Sequence, residues 1–349
     1  MELSDFDFDL PEALIALRPL RPRPASRLMV AEGAGSTGAC PIDAHVHDLP
    51  RLLRSGDLLV FNDTRVIPAQ LFGVRQRDQN EVRVEATLIR RHGPDLWDAL
   101  MRPAKRLMTG DRIDFDGLTA MVEARDGGLV RLRFDLAGDA FDAAIDRAGA
   151  MPLPPYIARR RPADAQDRED YQPVFAARDG AVASPTASLH FDADLLSRLD
   201  QAGVQTARLT LHVGPGTFLP VTADRVEDHK MHAEWGEISP ETADIINTTR
   251  ASGRRVIAVG TTVMRLLESA VEESGRVLPF SRETDLFIRP GHRVRSIDGL
   301  MTNFHLPRST LIMLTAALMG TDRMRALYAH AIAERYRFYS YGDSSLLIP

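Results

Sequence analysis

The sequence predicts an α/β protein: a large α/β domain with a mainly parallel sheet, interrupted by an inserted small antiparallel β-barrel domain. Three observations carry this. Through the second half of the chain, apolar strand-like runs alternate with helical patterns, as in a parallel sheet covered by helices. One run of the same kind, LLVFN, stands ahead of a stretch of different texture. That stretch, from about Leu71 to Asp135, holds short segments alternating apolar with polar, parted by TGD, DG and DGG turns and by no helix. The expected domains are 1–70 with 151–349, discontinuous, and 71–150 inserted.

Taken in order, PEALIAL reads as a short helix and LRPLRPRPASRLMV as an arginine- and proline-punctuated arm ending in a strand. AEGAGSTGACP is a loop, LPRLL a short helix, LLVFN a buried strand and DTRVIPA its polar exit. VRVEATLIR, LWDALMR, RIDF, LTAMVEA and LVRLRFDL are the barrel strands, and the helix GDAFDAAIDRAGA closes the insertion. FDADLLSRLDQAG is a helix closed by Gly203, and VQTARLTLHV is a strand. The next helix has Ser239 as cap, Pro240 in its first turn and Gly253 at its end. RVIAVG is a buried strand; TTVMRLLESAVEESG is a helix capped by Thr261 or Thr262, with Val263, Leu266, Leu267, Ala270 and Val271 on one face. LFI and a strand at Leu300 and Met301 follow, then two helices to about Tyr336, the first capped by Ser309 or Thr310.

A length of 349 residues with 44% hydrophobic and 26% charged side chains is ordinary for a soluble globular protein. No apolar run approaches the roughly 18 residues of a membrane span. The acidic start, MELSDFDFDL, lacks the basic region of a signal peptide. A single cysteine, Cys40, excludes an internal disulfide framework, so the expected location is cytoplasmic. A net charge of −5 excludes a globally basic surface, yet arginines cluster locally, most densely around RPAKR with Arg102, Lys105 and Arg106. Of 43 basic residues only two, Lys105 and Lys230, are lysine, as an arginine-biased genome would leave them. Lys105 is therefore a candidate for a place that needs a compact ammonium.

The chemistry lies in polar turns at strand ends. DGLMTNFHLPRSTLIM runs from a strand through Asn303, His305 and Arg308 into a helix starting at Ser309 and Thr310. Such junctions offer free N–H groups and a positive dipole end to a ligand. LLVFNDTRVIPA places Asn62, Asp63, Thr64 and Arg65 at a strand exit, and SPTASLHF places Ser184, Thr186, Ser188 and His190 before a helix. LTLHVGPGTFLPV puts His212 at a strand end, followed by Gly214, Gly216 and Thr217. As a nucleotide fingerprint this GxG is weak, because Pro220 opposes a helix there. VIAVGTTVMRLLES, with Thr261, Thr262 and Arg265, suits an anion or a carboxylate. DHKMHAEW holds His229, His232 and Glu234, without the HExxH spacing of metalloproteases. IDAHVHDL, with His45 and His47, has the Asp-x-His-x-His pattern of amidohydrolases but lacks a preceding buried strand and the eight βα units of their barrel.

Together FNDTRVIPA, RPAKR, MPLPPYI, DREDYQPVFA, SPTASLHF, LHVGPGTFLPV, HKMHAE, AVGTTVMRLLES, TNFHLPRSTLIML and YRFYSYGD resemble, in order and over nearly the whole chain, the motif set of the S-adenosylmethionine:tRNA ribosyltransferase-isomerase family. The resemblance implies a large α/β domain interrupted by a small β-barrel. It implies transfer and isomerisation of the ribosyl moiety of S-adenosylmethionine onto 7-aminomethyl-7-deazaguanine at the wobble position of tRNA. Epoxyqueuosine-tRNA forms, and adenine and methionine leave. S-adenosylmethionine is then a co-substrate, with no permanently bound cofactor or metal expected. The expected partner is tRNA with a GUN anticodon, and the expected state a cytoplasmic monomer without membrane contact. The sequence departs from the pattern at His45 and His47, at Ser184 and Ser188 and at His292.

On that reading the catalytic candidates are His190, His305, His212, Asp63, His232 and Glu234. Substrate contacts are expected from Asn62, Thr64, Arg65, Thr186, Gly214, Gly216, Thr217, Thr261, Thr262, Arg265, Asn303, Ser309 and Thr310. The tRNA backbone is expected at Arg102, Lys105 and Arg106. Two other classes compete: a metal-dependent hydrolase using His45 and His47, and a non-catalytic tRNA-binding module. A pure binder would need mainly basic and stacking surface, which the polar strand ends do not provide.

Overall fold

All five residues of LLVFN are buried, which on an extended chain means that both faces of the strand are covered. The computed structural model describes residues 1–33, 39–77, 80–214, 216 and 225–349. In chain order the strands are β1 (Arg27–Glu32), β2 (Ile42–His45), β3 (Leu58–Asn62), β4 (Thr64–Val66), β5 (Gln70–Arg77), β6 (Asn80–Arg91), β7 (Leu96–Arg102), β8 (Arg112–Phe115), β9 (Leu118–Asp126) and β10 (Leu129–Phe134). They continue as β11 (Arg178–Ala181), β12 (Gln205–Leu211), β13 (Glu234–Ile238), β14 (Val256–Val259), β15 (Phe280–Thr284), β16 (Gly299–Asn303) and β17 (Ser344–Ile348). The helices are α1 (Leu49–Leu52), α2 (Gly138–Ala148), α3 (Pro155–Ala158), α4 (Asp167–Asp170), α5 (Ala193–Gln201), α6 (Pro240–Ala251), α7 (Thr261–Ala270), α8 (Thr310–Met319) and α9 (Thr321–Ala333). None of them is long and apolar enough to cross a membrane.

The chain forms two units, Met1–Arg65 with Gln172–Arg178 and Pro185–Pro349, and Val66–Tyr171 with Asp179–Ser184. Residues 71–150 lie inside the second unit, which also takes in 66–70, 151–171 and 179–184.

The first unit is built on a nine-stranded sheet of order β15-β13-β12-β3-β14-β16-β17-β1-β2. Its centre, β12-β3-β14-β16, is parallel throughout. The flanks are mixed: β13 and β15 add antiparallel strands on one side, while β17 and β2 pair antiparallel with β16 and β1 on the other. From β3 the chain steps one way to β12 and later returns past β3 to β14, so right-handed crossovers place the intervening helices on opposite faces. On one face Leu59, Phe61, Ile257, Val259 and Met301 form a core with Leu49, Leu195 and Leu199 of α1 and α5. α6 and α7 pack on β12, β3 and β14 from the other.

The second unit holds a closed barrel of order β10-β7-β6-β5-β8-β9, antiparallel at every pairing. Period two is plain in it: Ile113, Phe115, Val130, Leu132 and Phe134 face inward while their neighbours are more exposed. Gly73 is required where β5 meets β8, since a Cβ there would sit 2.5 Å from Asp114 O.

Three local expectations are corrected. PEALIAL forms only a 3₁₀ turn, Glu12–Leu14, because the backbone of Leu14 and Ala16 bonds to Phe338 instead of continuing a helix. The strand expected at LFI forms earlier, as β15, where β13 supplies a ladder partner; Thr284 Oγ1 then accepts from Leu286 N at 3.2 Å and turns the chain. α7 is not capped by a threonine: Gly260, at φ 104°, is its N-cap, and Thr261 is already helical.

Candidate active site

The carboxyl ends of a parallel sheet are open to ligands because the following helices begin there. In the first unit β12, β3, β14 and β16 end side by side at Leu211, Asn62, Val259 and Asn303. Asn62 is fully buried and uses its whole amide. Nδ2 donates to Leu211 O at 2.9 Å and reaches Thr262 Oγ1 at 3.4 Å. Oδ1 accepts from Leu211 N at 3.0 Å and from Thr64 N at 3.1 Å. Asn62 is thus a joint between β3, β12 and α7, with its hydrogen-bonding capacity taken up by protein.

Beside it, Thr64 Oγ1 lies 2.8 Å from His212 Nδ1, and the imidazole stacks on Trp235 at 5.3 Å and 22°. Asp63 accepts from Thr210 Oγ1 at 2.7 Å. Glu234, nearly buried, accepts from Gly214 N at 2.7 Å and forms a close ion pair with Arg265 in the second turn of α7. Burial draws Arg265 down to about 10 against the opposing pull of Asp285. Arg265 Nε has no hydrogen-bond partner among the described residues. Removing one partner of a buried pair strands the other charge, so Glu234→Ala is expected to lose about 3–5 kcal/mol of unfolding free energy. A urea titration of both proteins checks this, with Glu234→Gln expected to lose less, since it keeps an acceptor for Gly214 N.

On the other side of the α7 start, Ala187 lies 3.5 Å from where a Cβ on Gly260 would stand. The turn Thr186–His190 therefore abuts the helix entrance. Thr186 Oγ1 donates to Asn303 Oδ1 at 3.1 Å, and Asn303 Nδ2 lies 3.2 Å from both Tyr339 O and His190 Nε2. Carbonyls only accept, so the bond to Tyr339 fixes which end of Asn303 is the amide NH₂. Its second proton faces His190 Nε2, which must be the unprotonated nitrogen; the ring proton is then on Nδ1. Burial, aided by Arg337 and Arg23, pushes His190 down to about 3. His190 is a neutral imidazole with a donor at Nδ1.

The remaining candidates fall in different places. His305 is buried and pushed down to about 3 by that burial; its Nε2 lies 3.0 Å from Thr302 Oγ1 and its backbone N–H donates to Tyr328 Oη at 2.9 Å. Ser309 caps α8, accepting from Ile312 N at 3.4 Å, and donates to Leu306 O at 2.8 Å, which ties its hydroxyl to the turn. Thr310 opens α8 half-buried. Arg65 is exposed and donates to Ala176 O at 3.0 Å. His232 is exposed beside Gly216, where a Cβ would come within 2.9 Å of its ring. Thr217 lies outside the described residues. Arg102, Lys105 and Arg106 are exposed on the second unit and form no ion pair among the described residues.

Sequence reasoning passed over four participants. Tyr339, at φ 73°, is held in a conformation that a tyrosine rarely adopts, and its carbonyl sets the Asn303 amide. Arg337 and Arg23 bear on His190 from distant parts of the chain. Trp235 carries the His212 ring. The signal for Tyr339 and Arg337 was within YRFYSYGD, where Gly342 meets Arg337 O so closely that a Cβ would come within 2.4 Å.

Residues 3–347 match a family model described as queuosine biosynthesis protein. A Phenylobacterium zucineum protein named S-adenosylmethionine:tRNA ribosyltransferase-isomerase is 58% identical, over 99% of each chain. A protein of the same name from Methylobacterium sp. (strain 4-46) is 60% identical over 99% of this chain and 98% of its own. The crystal structure of S-adenosylmethionine tRNA ribosyltransferase from Thermotoga maritima superposes with a TM-score of 0.54 at 33% identity, covering 99% of this chain and all of that one.

Proposed function

Since the chain belongs to the queuosine biosynthesis protein family, we propose that it transfers and isomerises the ribosyl moiety of S-adenosylmethionine onto 7-aminomethyl-7-deazaguanine at the wobble position of tRNA. Epoxyqueuosine-tRNA is formed, and adenine and methionine are released. The observation that carries this is near-full-length identity of 58–60% to proteins named for that reaction. The strand-end cluster supports it, with mixed donors and acceptors around the start of a ten-residue helix. The metal-dependent hydrolase and the passive tRNA binder have no support of this kind. The tRNA is one with a GUN anticodon, and the protein works as a monomer in the cytoplasm with S-adenosylmethionine as co-substrate.

The sulfonium acidifies the ribose C5′ protons; a base removes one to give an ylide, and adenine departs with help from a donor. We assign the base to His212, half-buried, held at Nδ1 by Thr64 and stacked on Trp235. His190 and His305 are neutral and hold no proton in reserve near pH 7, so they serve as hydrogen-bonding groups toward adenine or ribose. Arg265 is already paired with Glu234, which leaves the methionine carboxylate to Thr261, Thr262 and the first-turn N–H groups of α7. Asn303 and Thr186 position His190, and Asp63 and Asn62 brace the strand ends.

Adenine release from S-adenosylmethionine tests the reading. Release is expected only with tRNA carrying the aminomethyl-deazaguanine; no release with competent tRNA withdraws the activity while leaving the family fold in place. Arg102, Lys105 and Arg106 are assigned to the tRNA backbone. Replacing all three with alanine is expected to raise the KM for tRNA and to reduce the slope of log KM against log salt by roughly one per lost phosphate contact. An unchanged salt slope would remove them from the interface.

A further inference from the structure

We propose that His45, His47 and Asp48 form a zinc site at the edge of the large sheet, separate from the transferase chemistry. His45 ends β2, the outermost strand, and His47 and Asp48 lie in the 3₁₀ turn that leads to α1. The two exposed imidazoles stand face to face, 5.1 Å between centroids and 8° from parallel, and because a ring nitrogen binds a metal in the plane of its own ring, one of them must turn about its Cβ–Cγ bond for both to face one ion. His47 Nε2 is 3.8 Å from Asp48 Oδ1, and one ligand atom from each residue lies within 4.8 Å of the others. Two atoms about 2.0–2.1 Å from a tetrahedral zinc are roughly 3.3 Å apart, so the set closes when an exposed histidine ring turns out of the stack and its nitrogen moves in by roughly 1.5 Å.

Three protein ligands leave a fourth place for water, and two of them, His45 and Asp48, also line a pocket of about 380 Å³. Asp43 is engaged by Tyr336 and His330 and stays outside the set. Asp48 Oδ2 accepts from His45 N at 3.1 Å, which braces the carboxylate and leaves Oδ1 to the metal. The present occupant of Oδ1 is Arg51, whose side chain is 81% exposed and can swing away. The donor set, two nitrogens and one oxygen, suits zinc among divalent ions. Binding would tie the exit of the edge strand to α1.

The test is titration of zinc alone into the full chain by calorimetry, with metal content measured after gel filtration and cobalt absorption reporting a tetrahedral site. One zinc per chain is expected. His47→Ala, whose ring caps nothing, is expected to weaken binding more than tenfold with an unchanged thermal midpoint in chelator. Arg51→Ala, which removes the competing cation, is expected to tighten it severalfold. Absence of stoichiometric zinc, or binding that neither substitution changes, overturns the site; the latter would move the metal elsewhere, for example to His229 and His232.

Discussion

His190→Ala is expected to lower turnover about 100-fold or more while leaving the protein folded. The reason is the constraint read from Asn303. Its NH₂ is committed to Tyr339 O and His190 Nε2, so the imidazole presents a fixed Nδ1–H without needing to be charged. A preorganised donor in a site sheltered from water is worth roughly 100- to 1000-fold when aimed at developing charge. Burial and two arginines hold His190 near 3, so the wild-type pH–rate profile between 6 and 8 should owe nothing to it. His190→Gln keeps an acceptor for Asn303 and a donor of similar reach, and should recover about a tenfold part of the loss. A loss of less than threefold in His190→Ala, measured as adenine release, would sink the assignment. A recovery in His190→Gln no better than in alanine would instead point to ring shape over donation.

Acid lability is the second large effect. His190 and His305 both drop from an ordinary value near 6.5 to about 3 on folding, chiefly through burial. The folded value lies below the unfolded one, so the unfolded chain binds the extra proton as the solution is acidified. The stability each contributes is fully present above about pH 6.5 and is lost progressively as pH falls toward 3. The loss per histidine is at most on the order of 5 kcal/mol. Urea midpoints should therefore be flat from pH 8 to 7 and fall steadily below 6.5. His305→Gln should flatten that fall by about one proton's worth, because an amide can still meet Thr302 Oγ1 without charging. The same slope in variant and parent would show that His305 accepts its proton without unfolding.

Much of the fold was legible because it is local. The cap at Ser239 with Pro240 behind it, the cap at Ser309 and the barrel's period-two strands all rest on contacts a few residues apart. Errors came where a distant partner overrode local preference. PEALIAL has helical composition, yet Phe338 takes its backbone into a bridge; LFI is apolar, yet the ladder partner lies opposite Phe280–Thr284. The α7 cap falls one or two residues before the expected Thr261 or Thr262, because threonine and glycine cap about equally well and only glycine takes the positive φ that the β14 exit demands at residue 260.

By itself the sequence determined the classes of turn: which strand ends carry amides, hydroxyls and imidazoles, and which helices start beside them. It also carried the family resemblance, since ordered motifs survive without knowledge of where they meet. Only the tertiary structure decided which turns share a site and in what ionisation state. Asn62 and Leu211, 149 residues apart, are joined by the pairing of β3 with β12, and Asn303 and His190, 113 apart, by the packing of the Thr186–His190 turn on β16. The neutrality of His190 and His305, and the engagement of Arg265 by Glu234, follow from burial and proximity. Those are properties of the packed chain: a charge's environment is set by everything that excludes water from it, not by its neighbours in sequence.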